Sequence, residues 1–156
     1  MNPRRITVVT DKEPMMFQTL QPSEARTLVA VMRRIVPHED ADLRDVVLYT
    51  ALAYDARLVG DLALRAEVRS QMKELDRQAQ GDGLSSFADA SSEEQDSILR
   101  AIEDTTFFQN LVYATVADFY NRHIVWQAIG YPGLDQRDGQ GYLNRGFDAI
   151  PVWVES

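Results

Sequence analysis

The stretch TFFQNLVYATVADFY, Thr106–Tyr120, is the most apolar segment of the sequence and decides its fold class. The spacing of its apolar side chains predicts an α-helix. These side chains cover more than half of the predicted helix circumference: Phe107, Phe108, Leu111, Val112, Val116 and Phe119. A helix that is apolar on most sides is usually buried among other helices. We therefore expect this segment at the centre of an all-α bundle.

Four further helices are predicted before this segment, and the first three are marked by the same signals. Each carries apolar side chains at three- and four-residue steps, which is the spacing of one helix face. Proline suits the first turn of a helix, aspartate caps the amino end, and glycine favours the carboxyl end. By these signals the three helices run from near Pro22 to Pro37, from Asp40 or Asp42 to Gly60, and from Asp61 to Gly81.

A fourth helix is predicted to begin at Ser91, because Ser91 and Glu94 have the spacing of a capping box. A short turn over residues 124–129 follows the fifth helix, and five of the eight glycines lie at position 130 or later, where regular structure is expected to stop. The sequence thus predicts an all-α protein with a single helical bundle of about five helices over residues 19–130. A flexible arm is expected at residues 1–18 and an irregular, glycine- and aromatic-rich docking tail at residues 131–156.

The charge balance excludes some classes of partner. The 156-residue chain has a formal net charge of -8 at pH 7, so its summed field repels nucleic-acid phosphates and anionic lipid headgroups. No apolar run approaches the roughly 20 residues that cross a bilayer. We therefore expect neither a nucleic-acid partner nor a membrane span.

The residue patterns that usually carry catalysis are sparse. Cysteine is absent, no Glu-x-x-His pair marks a di-iron bundle, and no glycine-rich phosphate or dinucleotide loop is present. We expect His38 in solvent beyond the first helix, and His123 just past the fifth helix, where a cation meets the terminal carbonyls favourably. No catalytic, metal or cofactor site is therefore expected. The alternative is a stand-alone enzyme that uses His123 with Asp118, Tyr120 or Arg122.

A row of basic side chains follows the third predicted helix at every fourth position. The row consists of Arg65, Arg69, Lys73 and Arg77. The simpler interpretation is a solvated face balanced by the acidic residues Glu67, Glu74 and Asp76. The alternative is a docking strip for an acidic partner.

Aromatic residues and glycines are concentrated together near the carboxyl end. Such a segment has more apolar area than it can bury by itself, so it must lie against the helical bundle, against a second protein, or against both. The residues predicted to contact a partner are Trp126, Tyr131, Pro132, Gly133, Tyr142, Asn144, Arg145, Phe147 and Trp153. A self-associating scaffold whose tail swaps between copies is a further alternative.

Four short motifs, in their order along the chain, resemble the gluconate 2-dehydrogenase subunit 3 family. The family's F-x-x-L-x-P-x-E-A, R-I-I-P and F-x-x-L-s-x-x-x-Q motifs and its C-terminal glycine-rich block are matched in turn. The matching residues are Phe17, Leu20, Pro22, Glu24 and Ala25, then Arg33–Pro37, then Phe87–Gln95, then Gly130–Gly133. The family's frequent Y-G-G-N segment is not present as such.

The resemblance implies a non-catalytic small subunit of a flavin-dependent sugar dehydrogenase. Its expected partner is a large FAD-dependent catalytic subunit of the glucose-methanol-choline (GMC) oxidoreductase type, which often passes electrons to a cytochrome c. The small subunit is expected to assist the maturation, stability or export of that flavoprotein. FAD is then expected in the partner, and no cofactor in this chain.

The amino end does not have the pattern of an export signal. Arg4 and Arg5 are followed by only a few apolar residues before the charged group at residues 11–13, and a signal needs an apolar core of roughly 7–15 residues. We therefore expect a cytoplasmic protein. Transfer to the periplasm while bound to an exported partner is the alternative.

Overall fold

The computed structural model describes residues 17–38 and 40–131. This part of the chain forms six α-helices and one 3-10 turn, and it contains no strand. The helices are α1 (Pro22–Ile35), α2 (Ala41–Leu58), α3 (Leu62–Gly81), α4 (Ser92–Arg100), α5 (Thr106–Tyr120) and α6 (His123–Ala128), with the 3-10 turn at Phe87–Asp89. The predicted all-α bundle is confirmed, and the turn expected over residues 124–129 is a sixth helix. Most of the predicted arm, residues 1–16, and the predicted tail from residue 132 onward lie outside the described residues.

Local capping explains where the helices begin and end. Asp40 and Asp61 cap α2 and α3 through side-chain carboxylates that accept backbone N–H groups of the first turn. Ser91 and Glu94 form the predicted capping box at the start of α4. Beyond the end of α3, Gly83 has φ +87°, which other residues adopt only at a cost in energy.

The centre of the bundle is α1 and not α5. Helix α1 packs against α2, α3, α4, α5 and the 3-10 turn, and eight of its 14 residues are buried. In α5, only four of 15 residues are buried. The expectation of a central α5 was therefore wrong, because part of its apolar circumference faces solvent.

Two residues of the basic row on α3 pair with a buried carboxylate of α1. Glu24, in the first turn of α1, is almost fully buried. Its carboxylate accepts hydrogen bonds from Arg69 Nε at 3.0 and 3.1 Å and lies 3.6 Å from Lys73 Nζ. Arg77 pairs with Glu74 of its own helix. Arg69 and Lys73 thus hold α3 against α1. This role was not among the two interpretations drawn from the sequence, a solvated face and a docking strip.

The 3-10 turn is fixed to α3 and α4 through the backbone of Phe87. The Asp76 carboxylate accepts hydrogen bonds from the Thr27 hydroxyl at 2.8 Å and from the Phe87 N–H at 3.0 Å. The side chain of Gln95 donates to the Phe87 carbonyl at 2.9 Å. The Phe87 ring is fully buried. These contacts explain the spacing of phenylalanine and glutamine in the third motif, since the glutamine closes the turn that carries the phenylalanine.

Residues before α1 are held by a carboxylate from α2. Asp55 is almost fully buried and accepts hydrogen bonds from the backbone N–H groups of Thr19 and Leu20, each at 3.2 Å. The Thr19 hydroxyl and the Gln18 N–H also donate to it. A buried carboxylate is tolerated when donors satisfy it in this way. The segment at residues 18–20, which includes the last residue of the predicted arm, is thereby fixed to α2.

An ion pair ties α1 to α4. The Nε and Nη2 atoms of Arg34 donate to the two carboxylate oxygens of Asp96 at 2.7 and 2.9 Å. The hydrogen bond from the guanidinium lowers the pKa of Asp96 below its ordinary value of 3.8. Because the folded pKa is the lower one, the stabilisation from this pair is complete above the unfolded pKa and is lost as the pH falls through the folded pKa.

We therefore expect Asp96→Asn to lower the free energy of unfolding at pH 7 by about 1 kcal/mol or less, as for a partly exposed pair, and to have a smaller effect at pH 3. Urea unfolding at the two pH values measures both differences. The exposed Asp104 supplies the control Asp104→Asn, for which little change is expected at either pH. An equal loss for Asp96→Asn at pH 7 and pH 3 would contradict the assignment.

Candidate partner-binding surface

Helix α5 presents an apolar face to solvent. At about 100° per residue, Tyr113, Val116 and Tyr120 lie together on the side opposite the buried Leu111 and Thr115. Tyr113 is 78% exposed, Val116 37% and Tyr120 38%. A soluble monomer rarely exposes a large contiguous apolar patch without a functional reason.

Helix α6 and the residues after it add further exposed apolar side chains close to α5 in the chain. The buried Val125 anchors α6, which packs against α2 and α5. Ile124, Ile129 and Tyr131 remain exposed. Among the described residues, six of the eight exposed large apolar side chains therefore lie between positions 113 and 131. We call the set Tyr113, Val116, Tyr120, Ile124, Ile129 and Tyr131 the apolar surface.

Two residues of the predicted docking region meet at the end of α6. The Trp126 indole N–H donates to the carbonyl of Tyr120, a free acceptor at the end of α5. The ring of Tyr131 packs edge-on against Trp126, with centroids 5.6 Å apart. Gly130, with φ +72°, makes the turn that lets the Tyr131 N–H reach the Trp126 carbonyl at 2.8 Å. Trp126 is half-buried and Tyr131 exposed, so Tyr131 offers the larger contact area.

The remaining residues of the predicted contact set lie outside the described residues. They are Pro132, Gly133, Tyr142, Asn144, Arg145, Phe147 and Trp153. Their role in binding a partner stays a prediction.

His38 lies beside the apolar surface and not in open solvent. Its ring stacks on Phe119, with centroids 5.2 Å apart and planes 16° from parallel. Its Nε2 atom is 3.4 Å from the Tyr120 hydroxyl. The expectation of a solvated His38 was wrong, because the partner ring comes from α5, far along the chain.

The arrangement around His123 does not resemble a proton-transfer site. His123 is exposed, and it is the first residue of α6 and packs edge-on against Trp126. The Asp118 carboxylate is occupied by Arg122, whose Nη2 donates to it at 2.7 Å. The Tyr120 hydroxyl lies against His38 instead. No hydrogen bond joins His123 to Asp118, Tyr120 or Arg122, all four of which are described.

The described residues show two further absences. No three histidine, aspartate or glutamate side chains among them are grouped so as to hold a metal ion. None of the helices in residues 17–131 has both the length and the hydropathy that crossing a bilayer requires.

Of the six residues of the apolar surface, only Tyr131 was predicted from the sequence as a partner contact. The other five, Tyr113, Val116, Tyr120, Ile124 and Ile129, were not predicted, and Val116 was expected in the core. A signal for the first three was available, because Tyr113, Val116 and Tyr120 have the spacing i, i+3, i+7 of one helix face. It was obscured because the opposite face of α5 is also apolar.

The fold and this surface define a small helical protein with an exposed aromatic and aliphatic contact face. The family described as gluconate 2-dehydrogenase subunit 3 matches the chain over residues 22–133, and the chain belongs to that family. The resemblance inferred from the four motifs is thus confirmed, and the family name is that of a dehydrogenase subunit. Comparison with curated proteins found no match, and comparison with solved structures found none either.

Proposed function

We propose that the chain is a non-catalytic small subunit that binds an FAD-dependent catalytic subunit of the GMC oxidoreductase type and keeps it folded. The observation that carries the proposal is the concentration of exposed tyrosine and isoleucine side chains on α5 and α6, in a member of a dehydrogenase-subunit family. Tyrosine is enriched among the residues that dominate binding energy at protein interfaces. FAD belongs to the partner in this proposal, and a cytochrome c is the expected electron acceptor of the complex.

The stabilising effect follows from mass action. A subunit that binds only the folded flavoprotein raises its stability by about 2.7 kcal/mol when the free subunit is at one hundred times Kd. This is a chaperone-like effect that requires no chemistry from the small subunit.

Co-expression tests the proposal. The large subunit would be produced with and without this chain, and its soluble yield, flavin absorbance and thermal unfolding compared. We expect the large subunit alone to be largely insoluble or poor in flavin. A large subunit that is equally soluble, flavin-loaded and active without this chain would rule the function out.

Two further measurements separate the alternatives. A stable homodimer of the isolated chain in sedimentation equilibrium, with no affinity for the flavoprotein, would favour the self-associating scaffold. Cell fractionation of the complex would distinguish a cytoplasmic assembly from one carried into the periplasm on the flavoprotein.

A further inference from the structure

A cleft of about 560 Å³ opens at the carboxyl end of α1, between α2 and α4. Its floor is formed by small and branched apolar side chains, including Ala30, Val36, Val47 and Ala88. The volume is in the range of pockets that accept compact ligands or a few side chains. The floor therefore has room for an apolar group from outside the chain.

The polar lining of the cleft is cationic in a protein of net charge -8. Arg33, Arg34 and Arg44 all line it, and none of the aspartates and glutamates that the structure describes does. Arg34 is matched by Asp96. Arg33 and Arg44 are exposed and form no ion pair with any residue in 17–38 or 40–131. A carboxylate that enters the cleft would therefore meet the guanidinium groups of Arg33 and Arg44, which have no ion-pair partner among the described residues.

Two helix amino ends add positive potential to the cleft, whereas the carboxyl end of α1 contributes the opposite sign. Arg44 lies near the amino end of α2, where the helix dipole favours anions and disfavours cations. Ser92, the first residue of α4, also lines the cleft, which places the positive end of a second helix dipole there. The dipole of α1 favours a cation such as Arg33 near its carboxyl end. The dipole of α2 disfavours a cation such as Arg44 near its amino end, so helix stability does not explain the position of Arg44.

The cleft adjoins the apolar surface through one residue. His38 lines the cleft, and the same ring stacks on Phe119 and approaches the Tyr120 hydroxyl. A partner seated on Tyr120 is therefore adjacent to the mouth of the cleft. A segment of that same partner is therefore the expected occupant of the cleft.

We infer that the cleft between α1, α2 and α4 receives an acidic segment of the flavoprotein, with a carboxylate between Arg33 and Arg44 and an apolar neighbour on the alanine and valine floor. The inference rests on the proposed function and adds the site and the chemistry of recognition. Guanidinium groups suit this role because they bind carboxylates with two parallel hydrogen bonds. The pairing would position the flavoprotein over the apolar surface.

The test measures binding of the full chain to the purified, FAD-loaded large subunit at several salt concentrations. Arg33→Gln and Arg44→Gln are each expected to weaken binding about tenfold, the lower end of the coupling measured between close charge pairs across an interface, and to make the affinity less sensitive to salt. Arg57→Gln is the matched control, since Arg57 lies at the opposite end of α2, about 20 Å from Arg44 along the helix. Its affinity is expected to stay within twofold of that of the wild type.

The outcomes separate this inference from the proposed function. If the wild-type chain binds and both cleft variants bind equally well with the same salt dependence, the inference is wrong and the proposed function stands. If the wild-type chain binds no flavoprotein, the proposed function fails. Thermal unfolding of each variant shows whether it is folded. Hydrogen exchange on the wild-type complex is a second test, and it does not depend on any variant. Protection at residues 33–36 and 44–47 on binding is expected, and its absence would overturn the inference.

Discussion

A negative charge at Tyr113 is expected to weaken binding to the flavoprotein subunit at least 100-fold while leaving the fold of this chain unchanged. Tyr113 is 78% exposed in the middle of the α5 face, so its ring contributes little to the protein's own core. In the proposed complex the same position would be buried, and an unpaired carboxylate buried in an apolar interface is strongly unfavourable. A loss of about 2.8 kcal/mol, typical of a residue that dominates an interface, corresponds to the 100-fold change.

Isothermal titration of Tyr113→Asp with the FAD-loaded large subunit measures this effect. Ser70→Asp introduces the same charge at an exposed site on α3 and is expected to bind as the wild type does. Both variants are expected to unfold within a few degrees of the wild type. Wild-type affinity for Tyr113→Asp would show that the α5 face is not part of the interface.

The second large effect is expected from Asp55→Ala, which should lower the free energy of unfolding by about 3 kcal/mol. The substitution removes the acceptor for the N–H groups of Gln18, Thr19 and Leu20 and for the Thr19 hydroxyl. Unsatisfied donors cost about 1–3 kcal/mol each when they stay buried, and part of that cost is recovered if the segment detaches into water.

Chemical denaturation gives the change in stability, and amide exchange at Thr19 and Leu20 reports whether the segment detaches. Asp45→Ala removes an exposed carboxylate from the same helix and is expected to change stability by less than about 0.5 kcal/mol. Similar effects for the two variants would show that the buried carboxylate contributes no more than a surface one.

Helix positions were largely predictable because the signals that set helix ends are local. The predicted bounds Thr106 and Tyr120 agree with α5, and the capping box at Ser91 and Glu94 is formed as expected. The contacts that assemble the helices were not predictable in this way. Glu24 and Arg69 are 45 positions apart, and Thr19 and Asp55 are 36 apart. Charge and spacing along the chain do not indicate which distant residues will pair.

The candidate contact surface was predictable only in part, for a related reason. Composition predicted Trp126 and Tyr131 as candidate contact residues, because aromatic residues in a glycine-rich region need something to pack against. It did not identify Tyr113, since α5 is apolar on both sides and periodicity does not show which side faces the core. His38 was misplaced because its neighbour Tyr120 is 82 positions away in sequence.

The central position of α1 has a consequence for how the chain is made. Helix α1 ends at residue 35, and α5, which packs on it, ends at residue 120. At ~5–20 residues per second, about 85 further residues take roughly 4–17 seconds to synthesise. During that time the side chains of Leu28, Val31 and Met32, buried in the finished bundle, lack part of their cover outside the ribosome. The nascent polypeptide therefore exposes apolar surface that chaperones can bind until α5 has been synthesised.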